Sequence, residues 1–132
     1  MILIDANVPM YLAGADPERQ VTARRLLDRA ANNHERLVTD AEVFQEILHR
    51  YAAIKRHEAI QPAFDVLHEV VDEIFPIDAA VIERAKTVVL GYKHLSARDA
   101  IHIAAMREHG VTRIMSFDTG FDSVSGLTRL SE

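Results

Sequence analysis

The sequence predicts an α/β sandwich built on a mainly parallel sheet, and three observations carry that expectation. Four short apolar runs each end in an aspartate: Ile2-Leu3-Ile4 into Asp5, Leu37-Val38-Thr39 into Asp40, Ile74-Phe75-Pro76-Ile77 into Asp78, and Ile114-Met115-Ser116-Phe117 into Asp118. Such runs, bounded by polar residues, read as buried parallel strands. They alternate with longer segments of helical period, the order expected when helices cover such a sheet. Finally, no repeat, low-complexity stretch or Ser/Pro/Gly linker interrupts the chain, so residues 1–132 read as one domain.

The elements follow in order. The first strand, 2–4, leads into a short helix over 8–13, near whose first turn Pro9 is acceptable. Asp16-Pro17-Glu18 is a cap followed by an N-terminal proline and announces a helix over 18–32. A strand over 36–39 precedes a helix over 41–56, where Phe44, Ile47, Leu48 and Tyr51 form a stripe expected to pack on the sheet. A helix over 59–73, a strand over 74–77 and a helix over 79–91 come next. The helix over 97–109 is apolar around most of its circumference (Ala97, Ala100, Ile101, Ile103, Ala104, Ala105, Met106), which makes Asp99 in its first turns conspicuous. A strand over 112–117 and a short one near 127–130 complete the order. Gly91, Gly110 and Gly126 punctuate the ends of periodic segments.

Composition narrows the functional class. At 132 residues and 48% apolar content the chain can bury an independent core, and no apolar run approaches bilayer length, so no membrane partner is expected. The absence of cysteine excludes disulfides and thiolate metal sites and fits a reducing cytoplasm. Met-Ile-Leu-Ile-Asp at the start reads as a strand, with no basic region that would mark a signal peptide. The net charge of −5 argues weakly against a nucleic-acid partner, but an acidic cluster holding divalent cations would cancel much of it. No glycine-rich phosphate loop and no His-Glu-x-x-His spacing is present, so neither a nucleotide cofactor nor a histidine zinc site is indicated.

The acids therefore hold the functional question, because ligands of parallel sheets bind outside the carboxyl ends of the strands. Asp5, in Asp5-Ala6-Asn7-Val8-Pro9, reads locally as a helix cap, and at the sheet edge as a metal ligand. Ser96-Ala97-Arg98-Asp99 matches a capping box, which leaves Asp99 able to face a site as well. Asp118 and Asp122 flank Thr119-Gly120, ordinary turn chemistry. Asp40 and Asp78 directly precede helices and are assigned to capping. Glu42 and Glu46 lie four apart on one helix face opposite the apolar stripe; helical geometry does not choose between them, and a solvated face accounts for either. His102, three residues after Asp99, reads as a satisfied buried histidine.

Taken together, four segments resemble a PIN domain, and more narrowly the VapC-type toxins of toxin–antitoxin pairs. They are Ile2-Leu3-Ile4-Asp5-Ala6-Asn7, the run from Val38 through Glu46-Ile47-Leu48, Leu95 through His102, and Ser116-Phe117-Asp118. Each has a local explanation, but their order and spacing match across nearly the whole chain. The resemblance implies a three-layer α/β/α sandwich and an acidic quartet on Asp5, Glu46, Asp99 and Asp118. Glu46 is preferred over Glu42 because in the family the helical glutamate stands just before an Ile/Val-Leu pair, here Ile47-Leu48. A further acid in the last loop varies in position, and Asp122 is its candidate here.

What the resemblance implies is a metal-dependent endoribonuclease, the toxin of a toxin–antitoxin pair. Clustered carboxylates suit Mg²⁺, with Mn²⁺ possible, and not Zn²⁺. Asp5, Asp99 and Asp118 would ligate the metal or hold its waters, Glu46 would complete the set or help deprotonate the water, and Asn7 and Ser116 would support them from behind. Arg50, Lys93 and Arg98 are candidates for RNA phosphates, with Lys55, Arg56 and His94 nearby. Few aromatics are available for base stacking, so RNA shape is expected to govern specificity. A small antitoxin is expected on apolar surface near Val8, Met10, Tyr11 and Leu12, and a homodimer is implied. The competing readings are a PIN-like interaction module without catalysis and a PIN nuclease of RNA processing outside a toxin–antitoxin pair. A phosphoaspartate phosphatase would need a second aspartate where Asn7 stands, and a receiver domain would need an acidic pair that is missing.

Overall fold

A computed structural model describes all residues, 1–132. The first strand, β1 (Ile2–Ile4), runs into α1 (Asn7–Ala13) and α2 (Pro17–Asn32), then β2 (Leu37–Asp40), α3 (Ala41–Ala53), α4 (Ile60–Val70) and β3 (Glu73–Phe75). The second half contributes α5 (Ala79–Gly91), α6 (Ala97–Glu108), β4 (Arg113–Met115) and β5 (Thr128–Leu130). Single 3₁₀ turns cover His57–Ala59 and Thr119–Ser123.

All five strands pair in parallel, in the order β3-β2-β1-β4-β5. The two-residue period of the strands divides the core. Ile2, Ile4, Leu37 and Met115 point to one face, packed by α1 to α4, while Leu3, Val38 and Ile114 point to the other, packed by α5 and α6. The result is a three-layer α/β/α sandwich, as the resemblance implied. The chain builds outward from β1 on one side, returns, and builds outward on the other. The reversal falls between β1 and β4, and a parallel sheet opens a crevice at the carboxyl ends of the strands flanking such a point. Asp5 follows β1 and Asp118 lies just beyond β4.

Several expected boundaries shift for physical reasons. The third strand stops at Phe75 because Pro76 has no N–H to continue the ladder. The helix expected over 41–56 ends at Ala53, and Lys55 takes a left-handed conformation at φ 57°. The helix expected over 59–73 ends at Val70: Val71 is extended and the Asp72 N–H turns to the Leu37 carbonyl. The apolar stripe of α3 also rotates. Val43, Ile47 and Tyr51 are buried, while Leu48, expected to pack on the sheet, is 45% exposed. Val8, expected to offer apolar surface on α1, is fully buried in the core, leaving Met10, Tyr11 and Leu12 only partly so. No helix is long and apolar enough to cross a membrane.

Candidate active site

The crevice at the reversal is a groove of about 780 Å³, and Asp5, Glu46, Asp99 and Asp118 all line it. Each arrives on a different element. Asp5 leaves the end of β1, Glu46 projects from the middle of α3, Asp99 from the first turn of α6, and Asp118 from the turn after β4.

Asp5 is not a helix cap: α1 has no side-chain cap at all. Its carboxylate is 3% exposed and held from two sides, accepting the Ala6 N–H at 2.8 Å and the Ser116 hydroxyl at 2.6 Å. Ser116, fully buried at the end of β4, organises this end of the groove. Its hydroxyl donates to Asp5 and accepts from the Asp118 N–H at 3.0 Å and from the Asn7 side-chain amide at 3.3 Å. One donor and two lone pairs are thereby all used. Asn7 in turn accepts the Phe117 N–H at 3.3 Å, tying the start of α1 to the loop after β4.

Ser96 caps α6 by accepting the Asp99 N–H at 3.1 Å, but the Asp99 carboxylate does not return to complete a capping box and lines the groove instead. Burial, reinforced by the charges of Asp5 and Asp118, pushes Asp99 up to about 7. Glu46 is raised as well, by burial and then by Asp5. Neither Glu42 nor Glu46 sits on a solvated face: both are half-buried, and Glu42 turns to Arg98 at 3.9 Å. Asp118 is exposed and accepts the Gly120 N–H at 2.8 Å, so its turn chemistry and its place in the groove coexist.

Asp40 and Asp78 cap helices as expected, accepting the N–H groups of Val43 at 2.9 Å and Val81 at 3.0 Å. Asp40 does more. Its second oxygen meets His102 Nδ1 at 2.8 Å, and both side chains are fully buried. The expectation of a satisfied His102 is only half met, because Nε2 has no partner and stands 3.7 Å from Asp5 Oδ1. Burial opposes charge on this ring, but Asp40, then Asp5 and Glu46, outweigh it and hold the imidazolium up at about 10. The Asp40–His102 pair spans 62 residues, and local patterning gave no signal for it.

The remaining candidates divide. Arg50 and Arg98 line the groove, together with Arg19 and Tyr11, whose part the sequence did not reveal. Tyr11 stacks on Phe117 at 4.8 Å, and the Arg19 guanidinium lies over the Tyr11 ring at 4.7 Å. Lys93 is exposed and does not line the groove, and Arg56 is paired to Glu58 at 2.6 Å. His94 Nε2 meets the Ser123 hydroxyl at 2.8 Å and so braces the loop after Asp118. Asp122 turns out of the groove to Arg129, which meets both its oxygens, at 2.7 and 3.1 Å.

This donor set fits a divalent cation. Asp99 and Glu46 are raised first by burial and then by neighbouring carboxylates, as expected of acids held together without a compensating cation. Asp5, Glu46 and His102 each offer one ligand atom, all within 4.8 Å of one another.

The chain belongs to the PIN-domain family, whose pattern matches residues 2–127. Within that family its relatives are VapC proteins. It is 59% identical to ribonuclease VapC13 of Mycobacterium tuberculosis over 131 residues, 99% of this chain and 100% of the relative. It is 37% identical to ribonuclease VapC23 of the same species over 118 residues, 89% of this chain and 93% of the relative. Among solved structures, the M. tuberculosis VapC20 toxin, described as cleaving the sarcin-ricin loop, superposes with a TM-score of 0.78 at 23% identity, covering 95% of both chains. VapBC2 of Rickettsia felis, bound to a promoter DNA fragment, gives 0.74 at 13% identity over 98% of both. At these identities the two structures speak for the fold alone.

Proposed function

We propose that the protein is a divalent-metal-dependent endoribonuclease, the toxin of a toxin–antitoxin pair, with Asp5, Glu46, Asp99 and Asp118 as its catalytic carboxylates. The observation that carries the reading is their convergence on one groove, two of them with raised pKa values, in a chain 59% identical over its length to a protein named ribonuclease VapC13. An interaction module has no need of half-buried, mutually repelling acids, since burying a charge without a partner is costly.

In this reading Asp5, Asp99 and Asp118 hold the metal, and Mg²⁺ or Mn²⁺ bound there would supply an activated water and charge neutralisation at the phosphate. Ser116 and Asn7 keep Asp5 and the Asp118 backbone in place before any ligand arrives. Glu46, its pKa raised by burial and by Asp5, completes the metal shell or helps take a proton from the attacking water. Arg50 and Arg98 face the groove and offer charge to the phosphates on either side of the scissile bond, with Lys93 further out. The partner is a small antitoxin. Solved neighbours described as a toxin–antitoxin complex from Klebsiella pneumoniae and as VapBC-1 from nontypeable Haemophilus influenzae support that partnership by analogy of fold. The homodimer belongs to the same proposal.

The deciding experiment incubates purified protein with total RNA in Mg²⁺, in Mn²⁺ and in chelator, beside an Asp99→Asn variant. Internal cleavage that requires the ion and drops at least ~100-fold in the variant is expected, since Asp99 would hold an ion worth several kcal/mol to the transition state. Cleavage that survives unchanged in Asp99→Asn, or in chelator, would sink the assignment.

A further inference from the structure

Beneath the acidic groove lies a buried nitrogen that the four carboxylates leave unexplained. His102 is fully buried on α6, and its Nε2 has no hydrogen-bond partner. The ring is not free to turn away. Asp40 Oδ2 meets Nδ1 at 2.8 Å, and Asp40 is itself fixed by the Val43 N–H at 2.9 Å where β2 passes into α3. Nε2 is thereby aimed at Asp5 Oδ1, 3.7 Å away, too far for a hydrogen bond. Asp5 in any case already accepts the Ala6 N–H and the Ser116 hydroxyl.

This is the arrangement of a ligating histidine. Metal-bound imidazoles characteristically donate their second ring nitrogen to a carboxylate, which fixes the tautomer, and a cation arriving at the other nitrogen takes the place of its proton, which is released to solvent. Here the carboxylate is Asp40, and the ligand atoms of Asp5 and Glu46 lie with His102 Nε2 inside 4.8 Å of one another. We propose that His102 is a metal ligand, giving the acidic centre one nitrogen donor beside Asp5 and Glu46, so that the centre prefers Mn²⁺ to Mg²⁺. The preference follows from ligand chemistry: Mg²⁺ favours an all-oxygen, partly hydrated shell, whereas imidazole strengthens binding of transition metals. The proposal rests on the metal-centre reading above and adds a residue and an ion preference to it.

The test uses full-length protein stripped of metal and loaded with Mn²⁺. Pulsed electron paramagnetic resonance should detect a directly bound ¹⁴N nucleus on the Mn²⁺ signal, and the coupling should change to that of ¹⁵N in protein grown with ¹⁵N-histidine. No histidine lines the open groove, so such a coupling identifies His102 beneath it. In His102→Gln the coupling should vanish. By calorimetry, Mn²⁺ affinity should then fall by about 10- to 100-fold, while that for Mg²⁺ changes by less than about tenfold. The labelled wild-type spectrum decides the matter even if His102→Gln does not fold. Mn²⁺ bound without nitrogen coupling would overturn the role of His102 and leave the carboxylate centre standing. Failure to bind Mn²⁺ or Mg²⁺ at all would overturn both.

Discussion

The groove has a floor and a rim, built on different principles. On the floor, Asp5, Asp40, His102 and Ser116 are all buried, and their polar atoms are paired with one another or with backbone N–H groups, His102 Nε2 excepted. On the rim, Glu46 and Asp99 are half-buried with no donor to offset their charge, and Asp118 is exposed with a single backbone donor. The floor is set by folding, since its hydrogen bonds are closed among the protein's own groups. The rim stores repulsion that only a proton or a cation relieves. Preorganisation and electrostatic demand are thus separated within a few ångströms, so the two halves should respond differently to substitution, pH and metal.

The sharpest break of the floor is Ser116→Ala. It removes the hydroxyl that fixes Asp5 and the Asp118 N–H, leaving the buried Asp5 carboxylate with one donor fewer. Loss of a group that orients a ligand should lower metal affinity and RNA cleavage by about 10- to 100-fold. Melting should register a cost of about 1–3 kcal/mol for the unsatisfied buried group. A variant with unaltered metal affinity would show that the floor does not orient the rim.

The rim is read through pH. Asp99 has a folded value of about 7 against an ordinary 3.8. The fold therefore favours its protonated form, and the stability this lends is whole below about pH 4 and lost as pH rises through about 7. Metal-free protein should melt at steadily lower temperature across that window. Asp99→Asn should flatten the trend there, and saturating Mg²⁺ or Mn²⁺ should cancel it by supplying the missing positive charge. His102, raised from 6.5 to about 10, is lost from the balance over a higher window. Any decline that remains in Asp99→Asn should come from Glu46, which is raised as well, and from His102 between those two values. A pH-independent melting temperature in the metal-free wild type would mean the rim stores no repulsion.

The same division marks how far the sequence could be read. Asp5 and Asp118 stood out because apolar runs end in them, and Asp99 because it interrupts an apolar helix; the topology then brought all three to the reversal point between β1 and β4. Glu46 was another matter. Helical spacing places Glu42 and Glu46 on one face equally well, and only the resemblance separated them. The structure adds that Arg98 draws Glu42 aside while Glu46 lines the groove. The floor was the least legible part. Asp40 satisfies every local criterion of a helix cap and is one, so nothing near it in the chain reports its second oxygen, which meets a ring 62 residues away. The phase of α3 departs from the expected stripe for a related reason. Val43 competes with Leu48 for the buried stripe, and the winner is set by packing against the sheet, which no single helix encodes.

The smallest effect concerns where the rim ends. Asp122 is an acid four residues after Asp118, yet it is exposed and engaged by Arg129 through both oxygens, a contact that also holds its pKa below the usual carboxylate range. An exposed ion pair of this kind contributes little. Arg129 keeps a separate bond to the Ser116 carbonyl at 3.1 Å, so the loop is braced even without Asp122. Asp122→Asn should therefore leave RNA cleavage and Mn²⁺ affinity within about twofold of wild type, the scale on which exposed pairs act. If cleavage collapsed while melting held steady, Asp122 would have to leave Arg129 and swing inward when the ion binds. The rim would then have a fifth, mobile carboxylate, and the contrast between a fixed floor and a charged rim would extend to a rim that rearranges.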